Sequence, residues 1–105
     1  MSPLIQLLPP PQVAEFCRRW KIKELAVFGS ALRADFGPES DLDMLVTFLP
    51  SADWSLLDHV QMQEEFSRLV GRPVDLISKR AVIRSDNPIR RRAILESAEV
   101  VYAAR

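Results

Sequence analysis

Two aspartates spaced two residues apart have the arrangement that binds divalent metal ions. Asp41 and Asp43 lie in residues 41–49, where apolar residues recur with period two. This alternation predicts a β-strand, in which residues i and i+2 project from the same side of the sheet, about 6–7 Å apart at Cα. Carboxylate oxygens so placed suit a hard cation such as magnesium, or help to bridge two ions about 3.5–4 Å apart, as in phosphoryl transfer.

A third aspartate, Asp75, lies in another predicted strand, residues 74–77, on the face opposite Val74 and Leu76. An isolated Asp-x-Asp pair is a weak signal, because solvated aspartates at strand ends are common. Three like charges on one patch, however, repel one another unless a cation lies among them. The pattern therefore favours a three-carboxylate cluster for metal binding over three unrelated surface aspartates.

Gly29 and Ser30 directly follow a predicted strand, residues 24–28, and precede a short predicted helical stretch, residues 31–34. A glycine there lets a ligand approach the backbone, while Ser30 and the N–H groups of the helix start can donate to phosphate. Arg33, nearly one turn further, can add a charged contact to the same phosphates. Taken alone, the Gly-Ser pair is equally explained by an ordinary strand-to-helix turn. The sequence contains neither a P-loop nor a dinucleotide-binding glycine motif.

Taken together, these residues resemble a known signature. Gly29 and Ser30 are followed by ten residues and then by the Asp-Leu-Asp of Asp41 and Asp43. This order is similar to the nucleotidyltransferase signature of the DNA polymerase beta superfamily. The motif Ser-Asp-Leu-Asp and the position of Arg33 resemble the minimal nucleotidyltransferase (MNT) branch of this superfamily. Asp75 falls where that family has its third carboxylate.

The resemblance extends from about residue 23 to the closing segment, residues 87–102, and it implies roles for the matched residues. The Asp-x-Asp pair would hold Mg²⁺, with two ions expected, and Asp75 would bind the first ion and help to deprotonate an acceptor hydroxyl. Gly29 and Ser30 would hold the β- and γ-phosphates of the co-substrate ATP, supported by the arginine that follows. The hydroxyl would attack the α-phosphorus and pyrophosphate would leave, so that positioning and charge neutralisation dominate catalysis.

The remaining elements predict an α/β (α+β) fold, with helices packed on a small mixed β-sheet. The resemblance implies the nucleotidyltransferase fold. After an irregular leader (residues 1–10), the apolar stripe of the first helix has helical spacing and comprises Val13, Phe16, Cys17 and Trp20. We also predict a helix after the cap Asn87 and proline, and an edge strand at residues 100–102.

A long helix is predicted over residues 54–70, with Ser51 or Asp53 as its N-terminal cap and Gly71 as its stop. Its pattern assigns several residues to the inward face. They are Leu56, Val60, Met62, Phe66, Leu69 and Val70. The single histidine, His59, lies in this helix, where a packing or solvent-edge role is expected rather than catalysis.

The chain has 105 residues, which we interpret as one MNT domain (1–105) with no room for a second, acceptor-binding domain. The acceptor is therefore expected on a partner protein. The 14 basic and 14 acidic residues cancel but are segregated, since residues 34–65 lack Lys and Arg whereas residues 79–92 hold six of them. This basic strip, residues 79–92, is either a solvated face or a surface for a partner or a nucleotide.

Stand-alone MNT proteins resemble MntA antitoxins, which are paired with a HEPN-domain ribonuclease toxin. The resemblance implies transfer of AMP to a tyrosine of that toxin, which neutralises it, and a hetero-oligomer with it. Two alternatives remain: an antitoxin that acts by binding alone, and nucleotide transfer to RNA or a small molecule.

Other features of the sequence bear on location and on nucleic acid. No apolar run is long enough for a membrane span, no secretory signal is recognisable, and one cysteine excludes an internal disulfide, so a cytoplasmic protein without membrane contact is expected. The sequence also lacks a clustered aromatic and basic platform, so stable nucleic-acid binding is not expected.

Overall fold

A computed structural model of the chain describes residues 10–29 and 41–104. Its helices are α1 (Pro10–Arg19), α2 (Leu56–Val70), α3 (Lys79–Ile83) and α4 (Pro88–Ser97), and its strands are β1 (Ile22–Phe28), β2 (Leu42–Phe48), β3 (Val74–Ser78) and β4 (Glu99–Ala103). The predicted helical stretch at residues 31–34 and residues 1–9 of the predicted leader lie outside the described residues. The predicted mixed α/β class is confirmed.

The described strands form one four-stranded sheet in the order β3-β2-β1-β4. Strand β1 runs antiparallel to β2 and to β4, whereas β2 and β3 are parallel. The sheet is therefore mixed, and its last strand lies at an edge, as predicted. The parallel pair matters for the site, because it brings the starts of β2 and β3 together.

Each face of the sheet carries its own apolar cluster. On one face, α1 and α2 cover the alternate residues Leu42, Met44 and Val46 of β2, as the period of two predicted. The predicted stripe of α1 is buried in this cluster. On the other face, Leu45 packs with residues of α3 and α4, including Val82 and Ile94. The carboxylates described below share this second face.

Helix α2 begins two residues later than predicted, and the predicted caps Ser51 and Asp53 are wrong. Ser55 is the N-cap in a capping box: its hydroxyl accepts from the Asp58 N–H at 3.2 Å, and the Asp58 carboxylate accepts from the Ser55 N–H at 2.9 Å. The two reciprocal hydrogen bonds between Ser55 and Asp58 stabilise this helix start more than a single cap bond at Ser51 or Asp53 would. Gly71 ends the helix at φ +76°, in the left-handed conformation that glycine favours, as predicted.

The inward face of α2 is narrower than predicted. Met62 and Phe66 are buried, but Leu56 is 80% exposed and Val60 is 45% exposed. Leu56 and Val60 therefore lie on the solvent-facing side of α2 and do not reach the core.

The C-terminal part contains one helix that the sequence pattern did not predict. Helix α3 follows β3 directly, and only Val82 of its five residues is buried, so it lacks an apolar period. Helix α4 starts as predicted: the Asn87 side chain accepts from the Arg90 N–H at 3.1 Å, and Pro88 occupies its first turn.

Candidate active site

The parallel pairing of β2 and β3 sets two of the predicted carboxylates side by side. Asp43 and Asp75 are direct Cα partners in this ladder. Since neighbouring strands lie about 4.7–4.9 Å apart and paired residues project from the same face, the two side chains leave the sheet together. The Leu42 N–H donates to the Pro73 carbonyl at 2.9 Å and extends this register to the start of both strands.

The end of β1 lies on the other side of Asp43. Phe28 is the antiparallel partner of Asp43, and Gly29 follows it at φ +72°. A Cβ atom at position 29 would lie only 2.6 Å from Oδ2 of Asp43. Gly29, Asp43 and Asp75 therefore form a row across three strands, which we call the carboxylate row, and glycine is required at its β1 end.

Asp41, the remaining predicted carboxylate, is not part of the carboxylate row. Asp41 is exposed immediately before β2, two residues from the half-buried Asp43, and Asp75 is exposed. Across residues 10–29 and 41–104, no three Asp, Glu, His or Cys side chains converge closely enough to hold a metal ion. Ser30 and Arg33 lie outside the described residues.

The residues of the row nevertheless fit magnesium. Mg²⁺ keeps several of its waters and takes one or two carboxylates together with substrate phosphates, so it does not need a preassembled cage of three acids. The row offers oxygen ligands only, at least one of them reachable from solvent, and Gly29 leaves the Asp43 carboxylate uncovered by a Cβ.

A polar stripe on α2 positions the strand that carries Asp75, and the sequence analysis missed it. His59 donates from Nε2 to the Leu76 carbonyl at 2.8 Å, and Gln63 Oε1 accepts from the Leu76 N–H at 2.9 Å. Ser67 Oγ accepts from the Val74 N–H at 3.0 Å. These residues recur every four positions, which is the signal that could have revealed a polar helix face turned toward a strand edge. His59, for which a packing or solvent-edge role was predicted, is half-buried and bonded to the backbone of β3.

Cys17 lies on the face of the sheet opposite the carboxylate row. Cys17 is fully buried in the α1–α2 cluster, and this burial raises the pKa of its thiol to about 12. It therefore stays protonated and has no part in the site.

Comparison with known proteins identifies the family. The sequence model of the nucleotidyltransferase domain matches residues 12–101, which is most of the chain. The chain belongs to this nucleotidyltransferase family. The predicted resemblance and the predicted enzyme class are confirmed.

Two relatives of the nucleotidyltransferase carry the name protein adenylyltransferase. A Methanocaldococcus jannaschii protein named "Putative protein adenylyltransferase MJ1379" is 32% identical over 84 residues, which are 80% of this chain and 79% of the relative. The "Protein adenylyltransferase MntA" of Thermococcus cleftensis is 37% identical over 67 residues, which are 62% of this chain and 64% of the relative.

Solved structures share the fold of the nucleotidyltransferase. A structure described as a "putative minimal nucleotidyltransferase" superposes with a TM-score of 0.63 at 32% identity and covers 85% of both chains. A chain of a toxin–antitoxin crystal structure with AMP-PNP superposes with a TM-score of 0.69 at 15% identity, and the match covers 93% of this chain and 76% of that one.

Among the described residues of the present chain, no helix is long and apolar enough to cross a membrane.

Proposed function

We propose that this nucleotidyltransferase is an antitoxin that transfers AMP from ATP to a tyrosine hydroxyl of a HEPN-domain ribonuclease toxin and thereby silences it. The observation that carries the proposal is the carboxylate row, in which Asp43 and Asp75 are paired beside a glycine that cannot bear a side chain. The relatives named protein adenylyltransferase support a protein acceptor. The toxin–antitoxin neighbour that holds an ATP analogue supports both the nucleotide and the kind of partner.

The resemblance to the nucleotidyltransferase signature implies a role for each matched residue. Gly29, with Ser30 and Arg33, binds the β- and γ-phosphates at the β1 end. Asp41 and Asp43, together with Asp75, would hold Mg²⁺, with two ions expected. When bound, the metal would neutralise triphosphate charge and make the α-phosphorus more open to attack.

Asp75, at the β3 end, accepts the proton of the tyrosine hydroxyl. The phenolic oxygen then forms a bond to the α-phosphorus, and the bond from that phosphorus to the bridging oxygen of the β-phosphate breaks. AMP remains on the tyrosine and pyrophosphate leaves. Because the sheet holds both ends of the row rigidly, most of the rate enhancement comes from orientation and charge complementarity.

We further propose that the protein acts in the cytoplasm, in a hetero-oligomer with its toxin and without stable nucleic-acid binding. The experiment combines the chain, ATP and Mg²⁺ with a HEPN-domain protein, which is to be sought among the products of the adjacent reading frames. Intact mass spectrometry should show the toxin gaining one or more AMP units, with loss of its ribonuclease activity.

The double variant Asp41→Asn, Asp43→Asn should abolish the mass gain, whereas Asp53→Asn, an exposed aspartate outside the row, should not. Neutralisation by the double variant with an unchanged toxin mass would instead establish an antitoxin that acts by binding alone. Labelling of RNA or of small hydroxyl compounds by ATP, without a protein partner, would establish the other acceptor classes.

A further inference from the structure

A pocket of about 190 Å³ lies between β3, α3 and α4. Its floor is apolar and includes Ile77 of β3, Val82 of α3 and Ile94 of α4. Arg90 and Arg91, from the start of α4, form its charged rim. The pocket therefore combines a surface for an apolar side chain with cations for acidic groups.

The pocket adjoins the carboxylate row at one particular end. Ile77 lies two residues beyond Asp75 and on the same face of β3, about 6.5 Å away at Cα. The pair Leu45 and Ile77 is likewise the next same-face pair after Asp43 and Asp75 in the parallel ladder. Since β2 lies between β1 and β3, the pocket opens beside Asp75 and away from Gly29, the end assigned to the phosphates.

The positive charge at the rim of the pocket is not neutralised by acidic side chains of the described residues. Arg91 is held in place, because its Nη1 donates to the carbonyls of Ser85 at 3.2 Å and Ile83 at 3.4 Å. Among the arginines of the basic strip, only Arg92 has an ion-pair partner within the described part of the chain, Glu96. Arg90 is exposed, and its side chain has no hydrogen bond or ion pair to any described residue. A partner that fits this rim is acidic.

We propose that this pocket, which we call the α3–α4 pocket, receives an acidic segment of the protein substrate next to its acceptor tyrosine. An apolar side chain of that segment fills the floor, and its carboxylates pair with Arg90. The inference rests on the proposed function, because it takes Asp75 as the point at which the acceptor hydroxyl arrives. It assigns Arg90, the exposed arginine at the pocket rim, to the protein substrate rather than to the nucleotide.

The first test compares two identical substitutions on one helix. Arg90→Gln removes charge from the rim, whereas Arg92→Gln removes an exposed charge outside the pocket, one that is paired with Glu96. With the HEPN-domain protein as substrate, Arg90→Gln should raise its KM about three- to tenfold while the KM for ATP stays unchanged. Arg92→Gln should leave both constants as in the wild type.

The second test closes the pocket without removing charge. Ala81 is exposed and lines the pocket, and Ala93 is exposed on α4 outside it. Ala81→Trp should raise the KM for the HEPN-domain protein, whereas Ala93→Trp should not. Both substitutions add the same bulk at exposed helical positions, so any general effect on folding appears in both.

Three outcomes would overturn the inference, and they are distinguishable. An increase in the KM for ATP alone would mean that the pocket holds the nucleoside. Unchanged constants for Arg90→Gln and Ala81→Trp, with normal AMP transfer by the wild type, would remove this inference and leave the proposed function intact. A wild type that transfers no AMP to the HEPN-domain protein would remove both.

Discussion

The α-carbon of Gly29 lies so close to Asp43 that a β-carbon there would be 2.6 Å from the Asp43 Oδ2 atom. The backbone at Gly29 is also left-handed, with φ +72°. Either property favours glycine, and together they let the Asp43 carboxylate approach the backbone just after β1.

Gly29→Ala should therefore lose AMP transfer by more than about tenfold, because the new methyl group displaces the Asp43 carboxylate. The chain offers a matched control, since Gly71 has φ +76° but no atom within 4 Å of an added Cβ. Gly71→Ala should lower the free energy of unfolding by about 1–2 kcal/mol and keep the transfer rate of the folded protein. Urea unfolding and steady-state rates measure the two effects, and equal activity losses in both variants would contradict the contact.

Asp75→Asn tests the proposed proton acceptor without changing the shape of the side chain. We expect the turnover rate to fall about 10²- to 10⁴-fold, because the amide can neither take the proton of the hydroxyl nor bind Mg²⁺ as a carboxylate does. The exposed position of Asp75 means that the melting temperature should hardly change. The control is Asp86→Asn, at an exposed aspartate in the basic strip. Normal activity of the Asp75→Asn variant would exclude Asp75 as the proton acceptor.

Gln63 should act as a positioning residue through its bond to the Leu76 N–H at 2.9 Å. Gln63→Ala is expected to lower kcat while the KM for ATP stays constant, since β3 with Asp75 loses an anchor. Gln63→Glu keeps an oxygen acceptor and should restore much of the rate, and Gln61→Ala, exposed on the same helix, should have no effect. Equal rates for Gln63→Ala and wild type would show that the strand needs no such anchor.

Ser55→Ala should lower the free energy of unfolding by about 1 kcal/mol, because it removes the hydroxyl that accepts from the Asp58 N–H. Ser51→Ala should change it by less than about 0.5 kcal/mol, since Ser51 is exposed outside the cap. Chemical denaturation of the two variants separates the observed cap from the one that the sequence pattern predicted. A larger loss for Ser51→Ala would contradict the capping box.

The buried thiol of Cys17 should make stability depend on pH in the alkaline range. Its pKa is raised from 9.0 to about 12 by burial, so above pH 9 the unfolded chain binds fewer protons than the folded chain. The thiol's contribution is therefore fully present below pH 9.0 and declines toward pH 12, by up to about 1.4 kcal/mol per pH unit. Unfolding of Cys17→Ala across the same range should lack this component, and parallel curves for the two proteins would contradict it.

Much of the fold could be predicted from local patterns. The stripe of α1, the alternation in β2 and the cap Asn87 were recognisable because each reflects a period or a backbone hydrogen bond within a few residues. The start of α2 could not be predicted, since several possible caps lie close together in the sequence. The exposure of Leu56 could not be predicted either, because packing decides which apolar residues of the helix reach the core. Helix α3 gave no apolar period and so no signal.

The candidate site divides in the same way. The spacing of Asp41 and Asp43 predicted two carboxylates on one face, because strand alternation is a local rule, and Asp75 was predicted to join them. Gly29, directly after a strand, was predicted as a point of close approach to the backbone. The pairing of Asp43 with Asp75, the 2.6 Å constraint at Gly29 and the α3–α4 pocket beside Asp75 depend on which strands become neighbours. Strand order is set by long-range packing of whole apolar faces, and no local pattern in the chain encodes it.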